Sequence, residues 1–348
     1  MRVVVANAQT PFVRGGAEML ADSLVAALAE AGHEAELVTM PFKWYPAERI
    51  PEAMLAARLM EVGEWAGGSI DRLIALKFPA YLMRHPDKVL WLLHQYRGAY
   101  DLWGSEIGDL FNVPDGRPIR DSIRLADDTV IPEARAVFTI SRNVSDRLLR
   151  YNNIKSRPLY HPPPNAGAFR QEVAEDFLLC PGRINPSKRQ DLVVEALLLC
   201  REKVRVVFTG AVDAAEYADG LRRRCATTGL GDRVRWSGSV DEDAKISLYA
   251  RCLGVLVPPV DEDYGYVTLE AMLSAKPVIT LSDSGGPLDF VLDNETGFIC
   301  PPNPSAVARA MDRLWQERAR AKALGEAGYA RYRELGLNWQ DVIQELLG

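Results

Sequence analysis

The sequence contains few of the residues that build disulfide frameworks or metal centres. Its 348 residues include only five cysteines and four histidines, and no two cysteines form a C-x-x-C pair. Most of the cysteines lie inside apolar runs such as FLLCPG and RCLGVLV, where a free thiol behaves as a small hydrophobic side chain. We therefore expect neither a disulfide framework nor a bound metal ion.

Long apolar runs and an excess of positive charge are absent as well. No run approaches the ~18 apolar residues of a membrane span, and the first residues lack the pattern of a secretory signal. The formal net charge of −6 argues against a protein that coats nucleic acid. We expect a cytoplasmic globular protein, and 348 residues that are 48% apolar suffice for two domains with separate cores.

Two common nucleotide-binding fingerprints are missing from the loops. The sequence has no G-x-G-x-x-G motif and no Gly-Lys-Ser/Thr loop. The usual signals of NAD-type dinucleotide binding and of P-loop hydrolysis are therefore lacking.

Strand-like and helix-like segments alternate along the chain, which predicts βαβ units and parallel sheets. The segment HPPPNAG at His161–Gly167 separates two such series and predicts a hinge. We predict an α/β protein of two doubly wound domains, residues 1–165 and 166–335, whose strands end at a shared cleft. The strand-like segments are RVVVAN, HEAELVTM, DRLIALK, KVLWLLH and ARAVFTIS, then DFLLCPG, VRVVFTG, DRVRWSG, LGVLVPP and KPVITLS. The helical segments are GGAEMLADSLVAALAEAG, PEAMLAARLMEVGEW, one from near Asn143, one from Lys188, Ala214–Thr228, Glu242–Ala250, one from Tyr266, and two or three in the tail.

The segment PPVDEDYGYVTLEAM contains the most informative loop. Glu262 and Glu270 form an E-x7-E pair, with Glu262 in the loop and Glu270 one turn into a helix that starts near Tyr266. Gly265 lets backbone N–H groups at the helix start face a ligand, where the helix dipole favours a phosphate. A carboxylate inside that helix can accept hydrogen bonds from ribose hydroxyls. The alternative is that Glu262 caps a loop and that Glu270 is a solvated helix residue.

The loop CPGRINPSKRQ brings cations close to a predicted helix start. Basic residues at a helix N-terminus oppose the dipole, so a bound anion explains them better than helix stability does. Arg183 suits a bidentate contact with a diphosphate, and Lys188 suits a point charge. We expect Arg189 to point outward, because its neighbour Lys188 points inward. The alternative is a solvated basic loop.

Two features of the first domain complete the set. Gly15 and Gly16 precede a helix, so the backbone there can approach a phosphate closely. The alternative is an ordinary Gly-Gly turn that connects a strand to a helix. His94 follows an apolar strand, at the edge where open α/β sheets bind ligands. The alternative for His94 is a histidine packed at a strand end.

Together these segments resemble the retaining glycosyltransferases of family 4, which have the GT-B fold of two Rossmann-like domains. The motifs are GGAE, a histidine after a strand of the first domain, GR-x4-K, V-x-W-x-G-x-V, E-x7-E and SGG. Two positions depart from the family pattern. The usual E-G-F-G-L reads Glu262-Asp263-Tyr264-Gly265-Tyr266, and the usual histidine-aspartate reads His94-Gln95, which removes the acidic neighbour of that histidine.

The resemblance implies a retaining hexosyltransferase that needs no metal and no other cofactor. The donor would be a UDP- or GDP-linked sugar, and the acceptor a saccharide or lipid-linked saccharide in surface polysaccharide or glycoconjugate assembly. The second domain would bind the donor and the first the acceptor. The closing helix, Trp339–Leu347, would cross back, so that residues 336–348 pack with the first domain.

The resemblance also implies a role for each candidate residue. Val240, Glu242 and Lys245 would lie near the base, and Glu270 would hold the ribose. Arg183, Lys188 and the helix start would hold the diphosphate, while Glu262 and His94 would contact the sugar. The implied donor-binding residues are Gly15, Gly16, Arg183, Lys188, Val240, Glu242, Lys245, Glu262, Tyr264, Gly265, Tyr266, Val267 and Glu270. The implied catalytic residues are His94, Glu262, Arg183 and Lys188.

Other functions stay open at this point. A glycoside hydrolase would use Glu262 and Glu270 as acid and nucleophile, but it would leave Arg183 and Lys188 without a role. An epimerase of the same fold would need no sugar acceptor, and a binding protein would not turn over its ligand.

Peripheral contact with the inner face of a membrane is a separate hypothesis. Residues from Arg135 to Arg157 include six basic side chains and one acidic side chain. Such a segment on the acceptor domain can lie on anionic lipid. The alternative is a solvated helix face that is balanced by the acidic stretch Asp101–Glu133.

Overall fold

A computed structural model describes residues 1–65 and 67–348. The chain divides into two compact units. The first contains Met1–Pro164 and Asn338–Gly348, and the second contains Asn165–Leu337. The division falls directly after the proline run Pro162–Pro164.

The described residues form strands and helices that alternate along both units. The strands are β1 (Arg2–Gln9), β2 (Glu34–Pro41), β3 (Glu64–Trp65), β4 (Gly68–Ser69), β5 (Arg72–Ala75), β6 (Lys88–Leu92), β7 (Ala136–Thr139), β8 (Arg157–Pro158), β9 (Leu178–Pro181), β10 (Val206–Thr209), β11 (Val234–Trp236), β12 (Gly254–Val257), β13 (Val278–Leu281) and β14 (Gly297–Cys300). The helices are α1 (Gly16–Glu30), α2 (Ile50–Leu59), α3 (Gly116–Val130), α4 (Arg142–Asn152), α5 (Gln190–Leu199), α6 (Ala215–Thr227), α7 (Glu242–Arg251), α8 (Tyr266–Leu273), α9 (Pro304–Gln316), α10 (Arg318–Leu335) and α11 (Trp339–Leu347).

The first unit is built on a parallel sheet with strand order β2-β1-β5-β6-β7-β8. Its central strands β1, β5 and β6 are buried along nearly all of their length, as expected for a sheet that is covered on both faces. The strand order reverses between β1 and β5. Ligands bind at such switch points in open α/β sheets, beyond the carboxyl ends of the strands.

One helix prediction for the first unit was wrong, and one helix was missed. The segment PEAMLAARLMEVGEW is not helical throughout, because α2 ends at Leu59 and Met60 is extended. Glu64 and Trp65 instead pair with Gly68 and Ser69 as a short antiparallel ribbon. Helix α3 was missed, because its polar sequence was interpreted only as an acidic stretch, although Ile119 and Ile123 form a buried stripe.

The second unit is built on a parallel sheet with strand order β11-β10-β9-β12-β13-β14. Its core contains buried apolar side chains from the strands and the flanking helices, among them Leu178, Val206, Leu256 and Met311. The strand order reverses between β9 and β12. The loops that leave these two strands therefore begin at the switch point of the sheet.

The last helix belongs to the first unit. Helix α11 spans the residues predicted for it, Trp339–Leu347. The guanidinium of Arg72 donates to the carbonyl of Leu346 at 2.9 Å, and the rings of Trp91 and Trp339 pack edge to face with centroids 6.2 Å apart.

Candidate active site

The loop after β9 and the loop after β12 are joined at the switch point of the second unit. The backbone N–H of Val260 donates to the carbonyl of Ser187 at 2.8 Å. Next to this bond, the ammonium of Lys188 forms an ion pair with the carboxylate of Glu262. Each of these side chains is about one-quarter exposed, at 25% and 27%. The structure therefore brings together two of the residues that the sequence singled out, 74 positions apart.

The loop after β9 differs in detail from its prediction. Lys188 is not at the start of a helix, because Pro186–Lys188 form a 3-10 turn and α5 begins at Gln190. Arg189 between them has a left-handed backbone conformation, with φ of 51°. That conformation turns the chain before the helix.

Arg189 does not point outward into solvent, so that prediction was wrong. Its guanidinium donates to the carbonyls of Pro258 and Pro259 and pairs with Asp283 at 2.8 Å. Its side chain is only 14% exposed. Arg189 thus ties the loop after β9 to the loops after β12 and β13. This role could not be predicted without the order of the strands in the sheet.

Arg183 lies at the same edge of the sheet and has an acidic partner that sequence reasoning missed. Its guanidinium pairs with Asp213 at 2.8 Å, and half of its side chain is exposed. The amide of Asn185 donates to the same carboxylate at 3.2 Å. Asp213 follows the neighbouring strand β10, so both ends of this pair are held by strand ends.

The loop of Glu262 is fixed by a backbone pairing with the SGG motif. The N–H of Glu262 donates to the carbonyl of Ser284 at 2.9 Å, and the N–H of Gly286 donates to the carbonyl of Glu262 at 2.7 Å. A Cβ on Gly286 would lie 2.5 Å from the carbonyl oxygen of Tyr264, so only glycine allows this approach. The SGG motif therefore supports the position of Glu262.

Helix α8 begins where the sequence predicted it, at Tyr266. Its N-cap is Gly265, which has φ of +93°, a conformation that favours glycine. The half-buried Val267 belongs to the first turn, where backbone N–H groups give the helix end a partial positive charge. The side chain of Tyr264 is buried and packs edge to face against Tyr266, with ring centroids 5.3 Å apart.

Glu270 is a buried carboxylate with specific partners. It is 5% exposed, accepts a hydrogen bond from Lys245 at 3.0 Å and another from the Tyr249 hydroxyl at 2.6 Å. The alternative of a solvated helix residue is therefore wrong. Lys245 also pairs with Glu242 at 2.9 Å, and Val240 lies half-buried just before this helix.

The charges around Glu270 shift the protonation of their neighbours. Burial by itself lowers the pKa of Lys245, but the carboxylates of Glu270 and Glu242 outweigh it, so that this pKa is raised. Burial and the adjacent Glu270 raise the pKa of Tyr249 well above its ordinary value. Lys245 is thus a cation and Tyr249 a neutral donor. Sequence analysis missed Tyr249, although its spacing of four residues from Lys245 on one helix face was a signal that could have found it.

The glycine loop of the first unit is held by a buried ion pair that the sequence did not predict. Gly15 caps α1, and its N–H donates to the carboxylate of Glu18 at 2.8 Å. The other oxygen of Glu18 accepts from Lys77, which follows β5, at 2.9 Å. Burial raises the pKa of Glu18, but Lys77 and the N–H of Gly15 lower it more. Gly16 is the first residue of the helix, so the pair fixes both glycines at the switch point.

His94 follows β6 at the carboxyl edge of the same sheet. Its Nδ1 atom lies 2.7 Å from the backbone carbonyl of Gln95, and the ring is half-buried. The side chain of Gln95 is completely buried and contacts Asn152. The residue that replaces the expected aspartate is therefore an internal hydrogen-bonding group.

Several cations between Arg135 and Arg157 are paired with acids of the same unit. Arg147 is buried and lies 3.6 Å from Asp101, and Arg157 pairs with Glu345 at 2.7 Å. Arg135 pairs with Asp87 at 3.4 Å. These contacts reduce the positive charge that the segment presents to a membrane. Within residues 1–65 and 67–348, no helix is long and apolar enough to cross a bilayer.

The cysteines and the potential metal ligands are also located. All five cysteines have free thiols, and four of them are buried. In the part of the chain that the structure describes, no group of three or more His, Cys, Asp or Glu side chains is arranged to hold a metal ion.

Comparison with solved structures shows that the chain has the two-domain α/β GT-B fold of glycosyltransferases. Sucrose-phosphate synthase from Thermosynechococcus elongatus superposes with a TM-score of 0.78 at 19% identity, over 99% of this chain and 97% of that one. Anabaena HepE, solved in complex with UDP-glucose, superposes with a TM-score of 0.73 at 16% identity, over 99% and 98% of the two chains. These likenesses concern the fold.

The family assignment comes from the second unit. Residues 168–331 match the family model "Glycosyl transferases group 1", so this part of the chain is a group 1 glycosyltransferase domain. The resemblance seen in the sequence is confirmed at this level.

Curated relatives agree with this assignment. The chain is 33% identical over 171 residues to alpha-1,3/1,6-mannosyltransferase ALG2 of Homo sapiens, which is 45% of this chain and 41% of that protein. It is 26% identical over 185 residues to O-antigen chain mannosyltransferase C of Escherichia coli, which is 52% of this chain and 48% of that protein. The chain thus spans about half the length of the curated relatives it matches.

Proposed function

We propose that this protein is a retaining glycosyltransferase that works without a metal ion. It transfers a sugar from a UDP- or GDP-linked donor to a hydroxyl group of a saccharide or lipid-linked saccharide, in the assembly of surface polysaccharide or another glycoconjugate. The observation that supports this most is the grouping of Arg183, Lys188, Glu262 and the start of α8 at one switch point.

The positive groups of this set fit a nucleotide diphosphate. Arg183 is half exposed, so it can exchange its carboxylate partner for phosphate oxygens. Lys188 is one-quarter exposed and has three N–H donors, so it can contact a phosphate oxygen while it stays paired with Glu262. The N-terminus of α8 adds backbone donors and a partial positive charge. Together these groups stabilise the negative charge that grows on the leaving diphosphate, which is the task a divalent metal performs elsewhere.

Glu270 fits the ribose of the donor. Lys245 and Tyr249 hold its two oxygens, but each carboxylate oxygen can accept a second hydrogen bond. Two vicinal hydroxyls can use those remaining positions. We assign the base to Glu242, which begins helix α7 and pairs with Lys245, and to Val240 in the loop before that helix.

Glu262 and His94 are assigned to the transferred sugar. Lys188 fixes the carboxylate of Glu262, which makes it a hydrogen-bond acceptor of set position rather than a free nucleophile. In the family that this chain resembles, the acceptor attacks from the face that the diphosphate leaves, and a leaving phosphate oxygen takes the acceptor's proton. Retention of configuration follows from that geometry.

The same contacts argue against a glycoside hydrolase. A hydrolase needs two carboxylates that face one sugar, one of them a proton donor. Here Glu262 is paired with Lys188, and Glu270 is buried against Lys245 and Tyr249. Neither carboxylate is placed as a free acid opposite the other.

The names of the similar proteins guide the choice of donors. Two of them are mannosyltransferases, and HepE was solved with UDP-glucose. GDP-mannose and UDP-glucose are therefore the first donors to test, followed by other UDP- and GDP-sugars.

The test is release of nucleotide from each donor in the presence of EDTA, with and without a mixture of glycan and lipid-linked acceptors. We expect release from one donor class that depends on an acceptor and is abolished in Lys188→Ala. Epimerised sugar without an acceptor would indicate an epimerase. Donor binding without any release would indicate a binding protein.

A further inference from the structure

We propose that Gln95 is a positioning residue for His94, held in place by a chain of hydrogen bonds that ends at the buried Asp127. The chain runs through Asn152 and Tyr100, all within the first unit. It fixes the His94 ring with Nδ1–H directed at the backbone and Nε2 as the acceptor nitrogen. The inference rests on the proposed function only where it gives His94 a part in transfer.

The hydrogen bond between His94 and the backbone of Gln95 determines the tautomer of His94. Its Nδ1 atom lies 2.7 Å from the carbonyl oxygen of Gln95. Because a carbonyl oxygen can only accept, Nδ1 carries the hydrogen and donates it. The orientation of this ring therefore depends on the orientation of one peptide group.

That peptide group is fixed by the side chain of Gln95. The side chain is completely buried, and its amide N–H donates to the side-chain oxygen Oδ1 of Asn152. A buried amide loses the hydration that could replace this bond, so rotation of Gln95 away from Asn152 is unfavourable. Asn152 is the final residue of α4, which anchors the contact on a helix.

The direction of the chain follows from its carboxylates. The Asn152 amide N–H₂ donates to Asp128 at 2.6 Å and to the Tyr100 hydroxyl at 3.2 Å. With both hydrogens used, Asn152 can present only its oxygen to Gln95. Tyr100 in turn donates to Asp127 at 2.7 Å. The amide of Asn152 thus has one orientation, and a flip of Gln95 would bring its oxygen against the oxygen of Asn152.

Asp127 anchors the far end of the chain. It is completely buried on α3, and its other oxygen accepts from the Tyr81 hydroxyl at 2.7 Å. Tyr81 does not lie between Asp127 and Gln95. It is therefore a matched control, because its hydroxyl contacts the same carboxylate without leading toward His94.

The test measures the tautomer of His94 directly in the full-length protein. Long-range ¹H–¹⁵N spectra of histidine-labelled protein report which ring nitrogen carries hydrogen, and four histidines make assignment by His94→Gln practical. The spectra are recorded at about pH 8, where Asp127, with a pKa of about 7, is ionised. The variants are Gln95→Met, Asn152→Ala and Tyr81→Phe.

We expect the Nδ1–H tautomer alone in the wild type and in Tyr81→Phe. Gln95→Met and Asn152→Ala should each give a mixture of the two tautomers. Asn152 acts on His94 only through Gln95, so the Asn152→Ala variant still tests the proposal if Gln95→Met fails to fold. An Nε2–H tautomer in the wild type, or Nδ1–H alone in both variants, would overturn the proposal.

Kinetics separate this proposal from the proposed function. If transfer is observed, Gln95→Met should lower kcat by about 10-fold while the Kd for nucleotide changes by less than about 2-fold. If no transfer is found with any donor, the proposed function fails, whereas the tautomer measurement still decides the role of Gln95.

Discussion

The ammonium of Lys245 lies 3.0 Å from the carboxylate of Glu270, and the Tyr249 hydroxyl lies 2.6 Å from the other oxygen of that carboxylate. Helices α7 and α8 thus meet at a buried, charged contact beside the switch point of the second sheet. Burial of a carboxylate is unfavourable unless its oxygens are satisfied. The two donors of α7 satisfy and orient both oxygens of Glu270, which is the arrangement that binding of ribose hydroxyls needs.

The ion pair between Lys188 and Glu262 predicts two different mutant phenotypes. Lys188→Ala should weaken binding of UDP or GDP by about 10-fold or more, because it removes a charge from the diphosphate site. Glu262→Gln should leave nucleotide binding within about 3-fold but lower kcat strongly, because it alters a contact with the sugar. Calorimetry and steady-state kinetics distinguish the two. Equal effects of both substitutions on nucleotide binding would contradict this division.

The pair between Arg183 and Asp213 predicts a gain of affinity. Asp213 competes with a diphosphate for Arg183 and repels its negative charge, so Asp213→Asn should tighten nucleotide binding by about 2- to 5-fold. The control is Asp219→Asn, which removes a similar exposed pair with Arg222 on α6 and should have no effect. Weaker binding by Asp213→Asn would show that Asp213 orients Arg183 instead of competing for it.

Gly286 should tolerate no side chain. Its Cβ would lie 2.5 Å from the carbonyl oxygen of Tyr264, so Gly286→Ala should shift the loop of Glu262 and destabilise the protein by about 1–3 kcal/mol. Gly220 has no atom within 4 Å of its Cβ position and lies inside α6. Gly220→Ala should therefore stabilise by about 0.5–1 kcal/mol. Thermal unfolding of both variants tests the contrast, and similar changes would contradict it.

Asp127 should make folding stability depend on pH. Burial raises the pKa of this carboxyl from its ordinary value of 3.8 to about 7, so between these values the folded protein binds more protons than the unfolded chain. Stability therefore falls as pH rises across this window, with a slope of at most about 1.4 kcal/mol per pH unit from this group. Denaturant unfolding from pH 4 to 8 should show this slope in the wild type relative to Asp127→Asn. Equal pH dependence of the free energy of unfolding in the wild type and in Asp127→Asn would contradict this prediction.

Much of the fold was predictable because alternating strands and helices have strong patterns. The hydrophobic runs and the glycine before Tyr266 located the sheets and the start of α8. Helix α3 was missed since its apolar side chains form a narrow stripe in a polar sequence. The predicted extension of α2 was wrong because the chain becomes extended at Met60, and Glu64 and Trp65 then pair with Gly68 and Ser69.

The candidate site was predictable only where one loop contained its own signal. Lys188 and Glu262 stand out in their loops, and the order of the strands then places them together. The roles of Arg189 and Asp213 depend on neighbouring strands that are distant in sequence, so local pattern could not reveal them. Glu18 and Lys77 are a similar case, since their pairing joins the loop after β5 to α1.

The most direct test of the account is calorimetric titration of the protein with UDP and with GDP in EDTA, for the wild type and Glu270→Ala. Glu195→Ala, which breaks an exposed pair with Arg224 in the same unit, serves as the control. We expect micromolar binding of one nucleotide, retained in Glu195→Ala and weakened by about 10-fold or more in Glu270→Ala. Absence of binding to either nucleotide, or equal binding by Glu270→Ala, would contradict the donor site.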